Sequence, residues 1–284
     1  MNKYENYLGL GIAGNFALHL AQAGELEEFK DVITAEEAAP KGMFPFYLPH
    51  YAPLDSSCVK AKDMLSQYPL CSTQITLPNA KLNVQAEPEV GLICSLCYEN
   101  GRLSSIIPTH FGAYNDCSIR TQGAKKISDK KNWGVNSKGF SDTVITIDKF
   151  ENSGIMDKYN ICSFLRRDDK LVPYGENVAL TGYSYFHNKL TDWMVNQINT
   201  QEDFGPLEPL NEYVSACKNP TKAIVSIGAT RYTEYGEKTF LKSGDEVLIA
   251  VYDASIYTFK DIEEKLQNHD YSQSDMSLLA QKVV

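Results

Sequence analysis

No stretch of this chain is apolar for long enough to span a bilayer, and no block of lysine or arginine is dense enough to grip a phosphate backbone. The first absence argues against a membrane helix. The second, with a formal net charge of −9, argues against a nucleic-acid surface. The short basic stretch at Lys125, Lys126, Lys130 and Lys131 reads as a solvated loop. Glu5 and Asn6 stand where a secretory leader carries a basic flank and an apolar stretch, so a cytoplasmic location is expected. A second C-x-x-C is also missing. Cys94 and Cys97 form one inside "VGLICSLCYENG", but zinc needs two such pairs and a redox motif needs a helix start after it. The seven cysteines, an odd number, are read as reduced core thiols. Repeats and low-complexity tracts are absent as well, which excludes a solenoid.

What is present is an ordinary globular balance, 43% hydrophobic and 22% charged over 284 residues, enough to bury a full core. Residues 15 to 24 contain good helix formers and end on Gly24, which predicts a helix. "PKGMFPFYLPHYAPLD" holds four prolines in fourteen residues, predicting a loop or extended edge that lies over a site as a lid. From residue 73 the pattern turns to strands, with a hairpin turn at Glu99-Asn100-Gly101. "DTVITIDKF", "AIVSIGA" and "LKSGDEVLIAVYD" continue in kind, and "NKLTDWMVNQINT" and "FKDIEEKLQNH" predict two further helices. The class expected is α+β, β-rich, without alternating βαβ units.

Gly9, Gly11 and Gly14 spell the G-x-G-x-x-G of a dinucleotide loop, which would make the chain a nicotinamide oxidoreductase. That fingerprint needs a buried strand before it and an acidic residue ending the next parallel strand. "MNKYENY" is a poor strand, and only Asp31 is offered downstream.

"QAEPEVGL" is more informative. Glu87 and Glu89 are two apart on an expected strand, so both side chains leave one face within an apolar run. Two buried carboxylates repel, and a divalent cation resolves the conflict; a solvent-facing polar edge is the plainer alternative. "FGAYNDCSIR" returns Asp116 towards Glu89, completing three oxygen donors suited to Mg²⁺, Mn²⁺ or Ca²⁺. Arg120, four residues on, either holds a substrate carboxylate or balances Asp116.

These pieces resemble the fumarylacetoacetate hydrolase family: Glu87-Pro88-Glu89, then "NDCSIR", then Lys138-Gly139-Phe140, then "SIGATRYTEYG" and "LKSGDEVLIAV", in that order. Near the N-terminus, Asn15 and His19 match the family's N-Y-x-x-H-x-x-E, with Gln22 where the family has glutamate. The likeness covers residues 9 to 25 and about 80 to 255. It implies a mixed β-sandwich roll, usually a homodimer, acting on a small anionic 1,3-dicarbonyl or 2-oxo acid by metal-stabilised enolate chemistry. It implies Glu87, Glu89 and Asp116 as ligands of a divalent cation, Mg²⁺ first. His19, Gln22 and Lys138 become catalytic, and Asn15, Arg120, Gln122, Gly228 and Thr230 substrate-binding. On a helix, Asn15, His19 and Gln22 would share one face. Gln22 can orient an imidazole but cannot stabilise an imidazolium by charge, so a ligand-binding protein with reduced catalysis stays open beside a hydrolase, decarboxylase or isomerase. The organisation expected is an N-terminal segment over 1–75, a metal-binding core over 76–263 and a tail over 264–284, in one compact unit.

Overall fold

The computed structural model describes residues 2–51, 63–79, 81–121 and 123–284. Among these, one seven-stranded sheet runs in the order Gly42–Tyr47, Leu8–Ala13, Lys222–Ser226, Pro88–Glu99, Arg102–Asn115 and Gly139–Phe140, with Ile145–Thr146 also pairing to Arg102–Asn115. A five-stranded sheet runs Lys170–Ala179, Tyr159–Arg167, Glu246–Asp253, Ser277–Val283 and Gln74–Ile75. The chain is therefore α+β and sheet-rich, and the helices His187–Thr200 and Phe259–Gln267 fall where their sequence pattern placed them. No helix among the described residues is long and apolar enough to cross a membrane.

Period-two alternation explains the layering. Ile161, Leu165, Val247, Ile249 and Val251 join Val90, Leu92, Phe111 and Ala113 of the larger sheet in one core. The residues between them, Cys162, Phe164, Leu248, Ala250 and Tyr252, leave the opposite face and are covered by Ile262 and Leu266 of Phe259–Gln267. That helix starts at a reciprocal cap, in which the Asp261 N–H donates to the Thr258 hydroxyl at 3.2 Å and the Thr258 N–H donates to the Asp261 carboxylate at 2.8 Å. Ser277–Val283, in the stretch expected as a tail, is an interior strand of the smaller sheet.

The glycine-rich opening is a strand, Leu8–Ala13, paired on both sides. Gly9 and Gly11 lie inside it because rings of the neighbouring strand press on them: a Cβ would sit 2.4 Å from Phe46 at Gly9 and 2.3 Å from Phe44 at Gly11. Gly14 alone makes a turn, at φ 77°. A dinucleotide loop places its glycines after the strand, so the geometry gives the nicotinamide reading no support. Two other expectations change here. Only His19–Gln22 of the stretch 15 to 24 is α-helical, because the backbone is left-handed at Gly14 and again at Leu18, φ 70°. Asn15, His19 and Gln22 therefore share no helical face. The Pro-rich stretch supplies the extended edge that its sequence allowed, a wholly buried strand, Gly42–Tyr47, which flanks the site instead of covering it; residues 52–55 of the stretch lie outside the described residues.

Candidate metal centre

Antiparallel pairing of Pro88–Glu99 with Arg102–Asn115 sets Pro88 opposite Asn115 and Glu89 opposite Tyr114. Asp116, one residue further, donates its N–H to the Glu87 carbonyl at 3.0 Å. All three acids are buried, and Glu87, Glu89 and Asp116 each bring a carboxylate oxygen within 4.8 Å of the others. Hard oxygen donors at this closeness form a set that a divalent cation fits. Glu89 is aimed by the N–H of Gly228, which donates to its Oε2 at 2.9 Å.

Three cations balance these acids. Arg120 lies 2.8 Å from Glu87 Oε1, and donates to Glu25 Oε1 at 2.8 Å, Gln85 Oε1 at 2.7 Å and the Tyr232 hydroxyl at 3.0 Å. It thus balances Glu87 and Glu25, not Asp116. Lys138, fully buried, reaches Asp116 Oδ1 at 2.5 Å. Lys131 reaches both Glu87 Oε2 and Asp116 Oδ2 at 2.6 Å. The reading of the basic stretch as a solvated loop holds for exposed Lys125 and is corrected for Lys130 and Lys131, which are 2% and 4% exposed, because the short helix Ile127–Lys130 turns them onto Glu25 and the acidic cluster.

His19 is buried and its Nδ1 lies 2.9 Å from the Thr230 carbonyl. A carbonyl only accepts, so Nδ1 carries the hydrogen and Nε2 keeps its lone pair. Nε2 has no hydrogen-bond partner among the described residues. Thr230 is held in turn, its N–H donating to the Pro88 carbonyl at 3.1 Å. Gln22 does not touch the imidazole through a hydrogen bond. Its amide donates to the Tyr232 carbonyl at 3.1 Å and accepts from the Tyr232 N–H at 2.9 Å. Asn15 is likewise spent on backbone, donating to the carbonyls of Tyr185 and Ile227 and accepting from the Tyr185 N–H. Gln122 lies outside the described residues.

The local field pulls the acids apart. Burial would raise Glu87, but Lys131 and then Arg120 hold it well below the usual carboxylate range. Burial raises Glu89 well above that range, and Asp116 adds to the rise. Lys131 is pushed up by Asp116 and Glu87 against the burial that would lower it. Burial lowers both Lys138 and His19, which favours the uncharged form of each.

Sequence reasoning brought the three acids, His19, Lys138 and Arg120 to one region but missed Lys131, Glu25 and Tyr232. A Lys-Lys pair before Asn-Trp-Gly carries no periodicity that tells a buried ammonium from a surface one. A cavity of about 300 Å³ lies outside Arg120, lined by Gly24, Glu25, Glu28, Thr121 and Lys130. A larger one of about 480 Å³ lies against Phe16, Leu20, Ala21 and Lys41. Neither is lined by the three acids; the Glu25–Arg120 pair stands between the first and Glu87.

Three solved structures resemble the chain over 98% of its length. They are a candidate HpcE protein from Mycobacterium smegmatis (13% identity, TM-score 0.55, 74% of that chain), Cg1458 with inhibitor (14%, 0.52, 76%) and 5-carboxymethyl-2-hydroxymuconate delta-isomerase from Mycobacterium smegmatis (12%, 0.51, 78%). At such identities the shared feature is the fold, which is that of the fumarylacetoacetate hydrolase-like proteins. No curated protein matches in sequence. A family profile matches residues 25–283, and the chain belongs to that family, the family of unknown function DUF5718.

Proposed function

We propose that the chain is a divalent-metal-dependent enzyme acting on a small anionic 1,3-dicarbonyl or 2-oxo acid, by hydrolytic C–C cleavage, decarboxylation or isomerisation through an enolate. The observation that carries this reading is the convergence of Glu87, Glu89 and Asp116 in one buried, oppositely charged cluster whose field also acts on the unpartnered Nε2 of His19. The three acids would hold the cation, Mg²⁺ by preference for oxygen donors, with Mn²⁺ or Ca²⁺ as alternatives. When bound, it supplies Lewis-acid polarisation of a carbonyl and compensates enolate charge. His19, its Nδ1 hydrogen donated to the Thr230 carbonyl, would take a proton at Nε2 from the attacking water or from a substrate carbon and return it to the enolate carbon. Arg120 receives the anionic end of the substrate in place of Glu25. Lys138 fixes Asp116, Gly228 aims Glu89, and Asn15 ties the 227 turn to Tyr185. We read the two sheets as a β-sandwich roll that folds as one unit and pairs as a homodimer.

Mn²⁺ titration of metal-dialysed wild type against the Glu87→Ala, Glu89→Ala double variant tests the site, and turnover of a panel of acylpyruvates and 2-oxo acids with and without His19→Ala tests the base. Loss of binding in the first and of turnover in the second is expected; unchanged metal binding would sink the assignment. A second reading, a ligand-binding protein on the same fold, is favoured by the engagement of Gln22 with Tyr232, which leaves His19 without an acidic hydrogen-bonding partner. Metal-dependent turnover that disappears with His19 dismisses it.

A further inference from the structure

We propose that Lys131 is a built-in competitor of the metal: its ammonium occupies the carboxylate oxygens a divalent cation needs, so that the ion enters only by displacing this side chain. The inference rests on the metal reading above and adds an occupant to it. Each acid has two oxygens, and the neighbours divide them. Arg120 takes Oε1 of Glu87 and Lys138 takes Oδ1 of Asp116. What remains is Oε2 of Glu87 and Oδ2 of Asp116, and Lys131 lies 2.6 Å from both. An ion bridging Glu87 and Asp116 comes up against the Lys131 ammonium on both carboxylates, and although a carboxylate oxygen has lone pairs for more than one partner, the repulsion between an ammonium and a divalent cation held by the same two acids sets them in competition. Glu89 makes no ion pair with Lys131 and accepts the Gly228 N–H, so the third donor stays in place for the exchange.

The surroundings suit a side chain that swings on a fixed backbone. Asn132, next in the chain, anchors the backbone by donating to the carbonyls of Phe46 and Met64 at 2.8 and 2.9 Å. The Lys131 ammonium lies 5.3 Å from the Phe44 ring, a face that can hold a cation but does not bind it to one position. Lys130, by contrast, is tied to Glu25 and Glu28 and reaches none of the three acids. Of the adjacent lysines, only Lys131 opposes metal entry.

Calorimetric titration with Mn²⁺ compares wild type with Lys131→Met, which keeps the stem and removes the charge, and Lys131→Gln serves if the methionine variant does not fold. The expected result is an affinity at least about tenfold higher once the ammonium is gone, the size by which groups around a metal site ordinarily move affinity. In parallel, Mg²⁺ is added to wild type carrying ¹³Cε-labelled lysine, and the Lys131 resonance, identified by its loss in Lys131→Arg, should move at saturation while that of Lys130 stays. Equal or weaker Mn²⁺ binding in the variants, or a Lys131 resonance unmoved at saturating Mg²⁺, overturns the inference and leaves the metal site standing. Failure of wild type and variants alike to take up Mn²⁺ overturns both.

Discussion

Glu87 and Glu89 are two residues apart and both belong to the acidic cluster, yet replacing each by glutamine in the metal-free protein should have opposite consequences. Glu87 is an anion between Lys131 at 2.6 Å and Arg120 at 2.8 Å. Removing one partner of a buried ion pair costs about 3–5 kcal/mol. Lys131 keeps Asp116 and Arg120 keeps Glu25, so the lower end applies, about 3 kcal/mol. At roughly 2 °C per kcal/mol for a chain of this size, Glu87→Gln should melt about 6 °C below wild type. Glu89 has its pKa raised well above the usual value of 4.5 and accepts one backbone N–H, which a glutamine oxygen also accepts. Burial and Asp116 disfavour its ionised form, so Glu89→Gln breaks no favourable ion pair and should lie within about 1 kcal/mol of wild type. Scanning calorimetry of chelator-treated protein at pH 7 reads both. The pH axis gives a further check. Because Glu87 is depressed, its stabilisation is fully present above the unfolded pKa near 4.5 and is lost as pH falls from there towards the folded value. Wild type should thus lose stability on acidification more steeply than Glu87→Gln. Equal melting points for the two variants, or a larger drop for Glu89→Gln, would refute the division of charge described here.

Other consequences follow from the same geometry. Gly11→Ala places a Cβ 2.3 Å from the Phe44 ring and should cost about 1–3 kcal/mol by overpacking, seen as a lower urea midpoint and relieved in part by Phe44→Leu. Gln22→Glu replaces the donor to the Tyr232 carbonyl with a second acceptor, so it should destabilise by about 1–3 kcal/mol and leave His19 unprotonated at neutral pH, as read by imidazole ¹⁵N shifts. His19 itself has a folded pKa lowered by burial. Below 6.5 the unfolded chain takes up a proton that the folded chain refuses, so stability should fall as pH drops through that point, and His19→Asn should lose that part of the slope in urea titrations between pH 7 and 5.

The strands and the hairpin were legible because their causes are local. Asn100 and Gly101 both adopt positive φ, 51° and 79°, which a two-residue turn between right-twisted strands requires and which this pair of residues tolerates. The alignment of the acids was not legible. Counting outward from that turn, where Glu99 faces Arg102, sets Gln85 opposite Asp116. Two one-residue shifts, between Ile93 and Cys94 and between Cys97 and Tyr98, move the register so that Asp116 meets Glu87 instead. A total slip of two preserves which face each side chain leaves, so periodicity is blind to it, while the site depends on it. The positions of Lys130 and Lys131 were hidden for a related reason. A lysine is buried here because carboxylates distant in sequence, Glu25, Glu87 and Asp116, converge on it, and no local pattern records that.

The departure at residue 22 then acquires a physical reason that differs from the one its sequence suggests. As a substitute for glutamate it looks like a lost charge beside His19. In place, it is a two-pronged amide that grips both the N–H and the carbonyl of Tyr232, a grip that needs one donor and one acceptor and that a carboxylate cannot make. Tyr232 lies two residues beyond Thr230, whose carbonyl fixes the His19 tautomer, and its hydroxyl receives a hydrogen bond from Arg120. Gln22 thereby binds the short His19–Gln22 helix to the turn that orients the imidazole. The charge His19 feels comes first from Glu87, not from its own helix. If proton transfer at Nε2 needs an anion nearby, that anion is a member of the acidic cluster, and its field on the imidazole weakens once a cation neutralises it. Base strength at His19 and occupancy of the cluster are therefore coupled through Glu87, so a loaded site should hold the imidazole neutral more firmly than an empty one. Histidine ¹⁵N shifts followed across pH with and without Mg²⁺ read this coupling, and an unchanged titration of His19 would show that Glu87 does not transmit it.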